Sequence, residues 1–190
     1  RTSCVPPCPP RQHSAVIPMP TANRTTALPG FPRQQSLPEY RVGAAQEKIL
    51  YPGIQQCISI TGFSVFGLLG AHVSPGASAE EVSKGFEILR TGGGANYPNW
   101  YVVGNFRLHF ASSRVGWKAI GTIAEALKAG LSPKAKYLFC DTSDLADTLE
   151  AWGIDIHATR RPFEVEFEYS PWPANGSTTK LPIPGPFVSV

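Results

Sequence analysis

The sequence predicts an α/β (α+β) fold: a sheet-rich sandwich of mainly antiparallel strands with two main helices. Three observations point there. From Tyr40 onward, short runs rich in β-branched and aromatic residues recur between Pro/Gly turns. Two longer stretches place apolar residues at helical spacing and end in glycine. PFEVEFEYS alternates cleanly, with Phe163, Val165, Phe167 and Tyr169 opposite Glu164, Glu166 and Glu168, the mark of a half-exposed antiparallel strand.

Taken in order, residues 1–40 hold nine of the nineteen prolines and no helix-length periodic run, which reads as a Pro-rich arm or linker. Residues 41–170 form the α/β domain, and 171–190 a Pro-rich C-terminal tail on its surface. EKILY (47–51), CISITGF (57–63) and FGLLGAHV (66–73) read as strands, separated by Pro52-Gly53 and by a turn around Ser64-Val65. A helix follows: Ser78 caps it, Glu81 completes a capping box, Val82, Phe86 and Leu89 form its apolar stripe, and Gly92–Gly94 stop it. The triple glycine follows a helix rather than opening one after a strand, so it is a stop and not a phosphate cradle.

Residues 100–106 and 107–113 read as strand material. Gly116–Gly130 places Trp117, Ile120, Ile123, Ala124 and Leu127 on one helical face. KYLFC (136–140) is a short buried strand, Ser143–Trp152 a short capped helix, and IDIHATRR and PFEVEFEYS two further strands.

Composition narrows the function. A chain of 190 residues that is 42% hydrophobic can build a core without disulfide staples or a metal. The net charge of +3 comes from scattered Lys and Arg, which argues against nucleic-acid binding. The longest apolar run falls well short of the ~20 residues that cross a bilayer, and no charged-then-apolar leader opens the chain. A start at Arg1 fits a processed protein or an excised piece of a longer one. Cys4 and Cys8, in SCVPPCPP, lack a second ligand pair at zinc spacing, so no metal is expected; a disulfide between them stays open for a secreted chain. Asn23-Arg24-Thr25 and Asn175-Gly176-Ser177 fit the glycosylation acceptor pattern.

The chemistry-bearing pattern is CISITGFSVFGLLGAHVSP. A hairpin centred between Ser64 and Val65 sets Cys57 opposite His72, with Cβ atoms ~4.5–5.5 Å apart. Such a pair makes a nucleophile, because a thiol of pKa ~8.5 is mostly protonated at neutral pH until an imidazole assists it. Ser59 and Thr61 share the Cys57 face while Ile58 and Ile60 take the other, which predicts a cleft on the cysteine side and the core on the isoleucine side. The same residues also fit a buried structural cysteine and a locally bonded histidine, and a one-residue slip separates them onto opposite faces. His109 and His157 lie in predicted strands without ligand-spaced partners, Cys140 reads as a small hydrophobe, and the three glutamates as a solvated strand face.

Gln56-Cys57-Ile58-Ser59-Ile60 and Gly70-Ala71-His72-Val73-Ser74-Pro75, in the order cysteine, strand, turn, histidine, helix, resemble the CheD family of chemoreceptor glutamine deamidases, and more loosely the deamidases of the cytotoxic-necrotizing-factor type. The resemblance spans residues 40 to 170 in element order, with identity confined to the hairpin. It implies a sheet-rich sandwich in which Cys57 attacks a glutamine side-chain amide of a target protein, ammonia leaves, water releases glutamate, and His72 serves as base and then acid. Where CheD has Gly-Ser before the cysteine and an earlier orienting threonine, this chain has Gln55-Gln56 and Tyr51. The third member or oxyanion support therefore stays open among Tyr51, Gln56, Ser59, Thr61, Asn105 and a backbone carbonyl of the kind the necrotizing-factor type uses.

The expectation is a cofactor-free cysteine hydrolase, a toxin or effector domain secreted or delivered into a host cell, whose partner is a protein bearing a reactive glutamine. A cysteine protease using the same dyad is the enzymatic alternative. A non-catalytic protein-binding module with the Pro-rich arm as its recognition element is the other, and a cytoplasmic location remains open, as does the oligomeric state.

Overall fold

The β-branched and aromatic runs assemble into two stacked sheets, with three of the four described helices on the far side of one of them. The structure is a computed structural model that describes residues 31–148, 152–172, 179–183 and 185–190. Among these the strands are β1 (Gln34–Ser36), β2 (Val42–Ala45), β3 (Lys48–Ile54), β4 (Ile58–Ser64), β5 (Gly67–Val73), β6 (Asn99–Gly104), β7 (Lys136–Asp141), β8 (Gly153–Arg160), β9 (Val165–Trp172), β10 (Leu181–Pro182) and β11 (Val188–Ser189). The helices are α1 (Ala79–Thr91), α2 (Phe106–Ser112), α3 (Ile120–Gly130) and α4 (Ser143–Thr148). One sheet runs β1-β3-β8-β9-β10, the other β11-β7-β6-β4-β5-β2. Pairing is antiparallel except for β1 with β3 and β6 with β7. The predicted fold class is the observed one.

Two apolar layers result. Ile58, Ile60, Trp100 and Val102 of the six-stranded sheet pack with Phe86 and Leu89 of α1, Phe106 of α2, and Ile123 and Leu127 of α3. On the other face of that sheet, Cys57, Phe63, Leu68, Tyr101, Val103 and Cys140 pack against Ile49, Tyr51, Ile54, Ile156 and Phe167 of the five-stranded sheet. Both faces of β4 are therefore buried, and all seven of its residues are shielded from solvent.

Local signals place the helices. Ser78 Oγ accepts from Glu81 N at 3.2 Å while Glu81 Oε2 accepts from Ser78 N at 2.7 Å, a reciprocal cap that starts α1 where expected. α3 begins at Ile120 rather than at the glycine four residues earlier. Gly116 adopts φ +81°, Trp117 N donates to Ser113 Oγ, and Thr122 Oγ accepts from Lys118 N, so a turn precedes the helix and Trp117 is buried from outside it.

Three expectations are corrected. Residues 106–112 are helical rather than strand, because Asn105 Oδ1 caps Leu108 N at 3.1 Å and Phe106, His109 and Phe110 recur at helical spacing. The arm does not extend to residue 40. β1 pairs in parallel with β3, and Leu37 and Phe31 are buried in the two cores. The described part of the tail lies on the surface, with β10 and β11 exposed while they extend β9 and β7. Phe163 leaves the predicted alternation: it precedes β9 and is 91% exposed, while Val165, Phe167 and Tyr169 face the core. Cys4, Cys8 and both glycosylation patterns lie outside the described residues.

Candidate active site

Hairpin register decides the relation between Cys57 and His72. The turn is Val65-Phe66, one residue later than the sequence predicts, so Ser64 pairs with Gly67, Ser59 with His72, and Ile58 with Val73. Ser64 sets this position: its hydroxyl accepts from Phe66 N at 3.2 Å, and a Cβ at Gly67 would stand 2.9 Å from Ala45 O. The predicted direct opposition of Cys57 and His72 is thus corrected. A two-residue shift preserves side-chain parity, so the two still share a face, as diagonal neighbours ~7–8 Å apart at the backbone and within reach of a long side chain. That face is not an open cleft, because the five-stranded sheet covers it and Cys57 is 5% exposed.

Extending the pairings by one residue places Ser74, Cys57, Asn105 and Thr142 side by side as the last rung of β5, β4, β6 and β7. All four are buried. The rung lies where β6 and β7 run parallel and deliver their carboxyl ends to α2 and α4. Gly104 lets the strands close there, since a Cβ on it would stand 2.6 Å from Cys57 O.

His72 is held in a defined protonation state. Its Nδ1 lies 2.9 Å from Leu37 O, and a carbonyl only accepts, so Nδ1 carries the hydrogen and Nε2 the lone pair. Nε2 is buried without a hydrogen-bond partner. Burial pushes the imidazole down to about 4, partly opposed by the Leu37 carbonyl and Glu39, so it is neutral at physiological pH. Tyr51 from the five-stranded sheet packs edge-on against the ring, with centroids 6.2 Å apart.

The other candidates separate by role. Tyr51 spends its hydroxyl on Ile60 O (3.1 Å) and Thr61 Oγ (2.8 Å), so Tyr51 and Thr61 form a wall rather than orienting Nδ1. Burial raises the Tyr51 phenol above its ordinary range, which keeps it protonated. Ser59 faces His72 directly but donates to Val103 O at 3.0 Å. Gln56 offers its backbone carbonyl to His109 Nδ1 at 3.0 Å and its side-chain oxygen to Ser112 Oγ at 3.3 Å. Asn105 caps α2 and shares Ser143 Oγ at 3.0 Å with Asp141.

Four contributors escaped the sequence reading. Leu37 supplies the carbonyl that orients His72 but sits in the presumed arm. His109, fully buried on α2 and stacked on Trp117, fixes the peptide plane that leads into Cys57; helical spacing with Phe106 and Phe110 was its available signal. Ser143 and Asp141 buttress Asn105 and donate or accept around the start of α2, with Phe106 N and Ser143 N both on Asp141 Oδ1. Neither Cys57 nor Cys140 is in a disulfide. Burial and Asp141 push the Cys140 thiol up to about 11. Among the described residues no group of His, Cys, Asp and Glu is arranged to hold a metal, and no helix is long and apolar enough to cross a membrane.

No protein-family model and no curated protein matches the chain.

Proposed function

We propose that Cys57 and His72 form the nucleophile and base of a cofactor-free cysteine hydrolase that deamidates a glutamine side chain of a target protein. The observation that carries this is the state of His72: an imidazole whose Nδ1–H is committed to Leu37 O, whose Nε2 lone pair is unspent, and which shares a buried face with a thiol one diagonal away. His109 likewise commits Nδ1 to a carbonyl and leaves Nε2 buried without a partner, so it is the β4–β5 face shared with Cys57, together with the unspent lone pair, that singles out His72.

The steps balance within the site. As Cys57 Sγ bonds to the carboxamide carbon, its proton passes to His72 Nε2 and the carbonyl π pair moves onto oxygen. Collapse of that adduct breaks the C–N bond, and the imidazolium returns its proton to the departing nitrogen, which leaves as ammonia. Water then attacks the thioester, giving a proton to His72 and leaving glutamate, and the thiol is restored. With His72 held down to about 4, the imidazole is neutral at rest and takes up the proton as attack proceeds.

Burial favours a side-chain amide over a scissile backbone bond. Cys57 lies beneath the surface, in the layer between the two sheets. A glutamine reaches such a sulfur end-on through its two methylenes, whereas a protease has to bring an extended main chain alongside its nucleophile. The test is ammonia release from a panel of glutamine-bearing peptides and proteins, followed by intact-mass analysis. The proposal expects amide-to-acid conversion without chain cleavage, abolished by Cys57→Ser. Cleavage fragments would favour the protease, and no Cys57-dependent product of either kind would overturn the enzymatic reading.

A further inference from the structure

We propose that the side-chain carboxamide of Asn105 is the donor that stabilises the oxyanion formed when Cys57 attacks. This deepens the hydrolase reading and rests on it. The register sets Asn105 beside Cys57, because Ile58 pairs with Gly104 and the next positions on the two strands are these residues. Their backbones approach closely, the missing Gly104 side chain being what allows it.

The amide is oriented by its surroundings. Leu108 N–H can only donate, and it does so to Asn105 Oδ1 at 3.1 Å, so Nδ2 points its two hydrogens elsewhere. Ser143 Oγ stands 3.0 Å from the same Oδ1 and shares its single proton between that oxygen and Asp141 Oδ1, 2.5 Å away. The acceptor end of Asn105 is thereby clamped from α2 and from the start of α4. Nδ2 is buried and has no partner, in a residue 2% exposed to solvent. A buried carboxamide with its oxygen doubly used and its nitrogen unused is a preorganised donor, and it costs no reorganisation when charge appears next to it.

In the deamidation step the pair displaced from the carbonyl π bond comes to rest on the substrate oxygen, and Asn105 Nδ2–H bonds to that oxygen while the Cys57 proton moves to His72. Nothing is oxidised or reduced, and Asn105 gives up no proton.

Two small electrophiles isolate this role from the rest of the chemistry. Addition of the Cys57 thiol to acrylamide drives the alkene electrons toward the amide oxygen, so an oxyanion donor accelerates it; the proton that His72 takes returns to the α-carbon. Displacement of iodide from iodoethane builds no charge on any carbonyl. The readout is the ratio of the two rates at Cys57, resolved by peptide mapping. Asn105→Ala removes the donor, and Asn105→Asp removes it while keeping the oxygen that caps Leu108 N–H, so a folding loss in the first is separated by the second, with far-UV circular dichroism monitoring both. The expected result is a fall of about tenfold or more in the acrylamide-to-iodoethane ratio in both variants, in line with the worth of one oxyanion donor. An unchanged ratio in folded Asn105→Ala and Asn105→Asp overturns the role of Asn105 and leaves the Cys57–His72 reading standing. A wild-type Cys57 inert to both reagents overturns both.

Discussion

Lowering the pH from 7 to 5 acts on the buried histidines before it reaches most carboxylates. His72 and His109 are each pushed down to about 4 by burial, against an ordinary value of 6.5 in the unfolded chain. Between these limits the unfolded state binds more protons, so stability is full above 6.5 and is lost as pH falls toward 4. For one such group the loss from pH 7 to 5 is about 2 kcal/mol, and for the pair about 4 kcal/mol, against a total stability of about 5–15 kcal/mol. His157 is also held down to about 4, by burial and then by Lys48 and Lys180, and adds a smaller increment because solvent screens those charges. Asp155 works in the opposite direction: burial raises its carboxyl, so the folded state takes that proton earlier and recovers part of the loss. The assay is urea unfolding at a series of pH values. With a slope of ~2 kcal/mol per molar urea, the midpoint drops by about 2 M between pH 7 and 5. His72→Gln removes one group from the linkage and flattens the pH dependence by about half. A midpoint that stays level across this range refutes the burial of the two imidazoles as neutral groups.

Two further outcomes follow from the packing. Gly104→Ala forces a Cβ to within 2.6 Å of Cys57 O and 2.9 Å of Ile58 Cα, backbone atoms that cannot rotate away; it is expected to cost about 1–3 kcal/mol in urea unfolding and to lower amidase turnover more than any change at the exposed Gly121, which serves as control. A chain that starts at residue 41 loses β1, the buried Leu37 side chain and the carbonyl that orients His72; it is expected to show a thermal midpoint several degrees lower than a chain starting at residue 31, and a loss of Cys57 reactivity at equal folded fraction.

Much of the fold was legible because local chemistry dictated it. The Ser78/Glu81 cap, the glycine stops and the alternation from Val165 to Tyr169 each describe a structure that neighbours in sequence can enforce. The hairpin was legible too, as was the shared face of Cys57 and His72, because parity survives a two-residue shift. Its register was not, since that depends on Ser64 turning its hydroxyl into the loop and on the tight approach of Gly67 to Ala45. Ser59 and Thr61 read as the lining of a cleft, yet they are buried with their hydroxyls bonded to Val103 O and Tyr51. Polar residues on a strand mark solvent only when no second sheet supplies partners. Leu37 was hidden for a similar reason: a proline-rich neighbourhood describes how the chain behaves alone, and β1 is ordered by pairing with β3. Asn105 was one of several candidates for a third member or oxyanion support, but the helix it caps was not foreseen, because RLHF carries a period that strand and helix both satisfy.

The central claim is that His72 draws the proton from Cys57. It is tested most directly by residue-resolved alkylation of Cys57 with iodoacetamide near neutral pH, in the wild type and in His72→Gln. The account predicts that Cys57 labels about tenfold or more faster with His72 than without it, while Cys140, its thiol pushed up to about 11, stays unlabelled in both. Equal labelling of Cys57 in the two proteins, or a Cys57 as inert as Cys140, would contradict it.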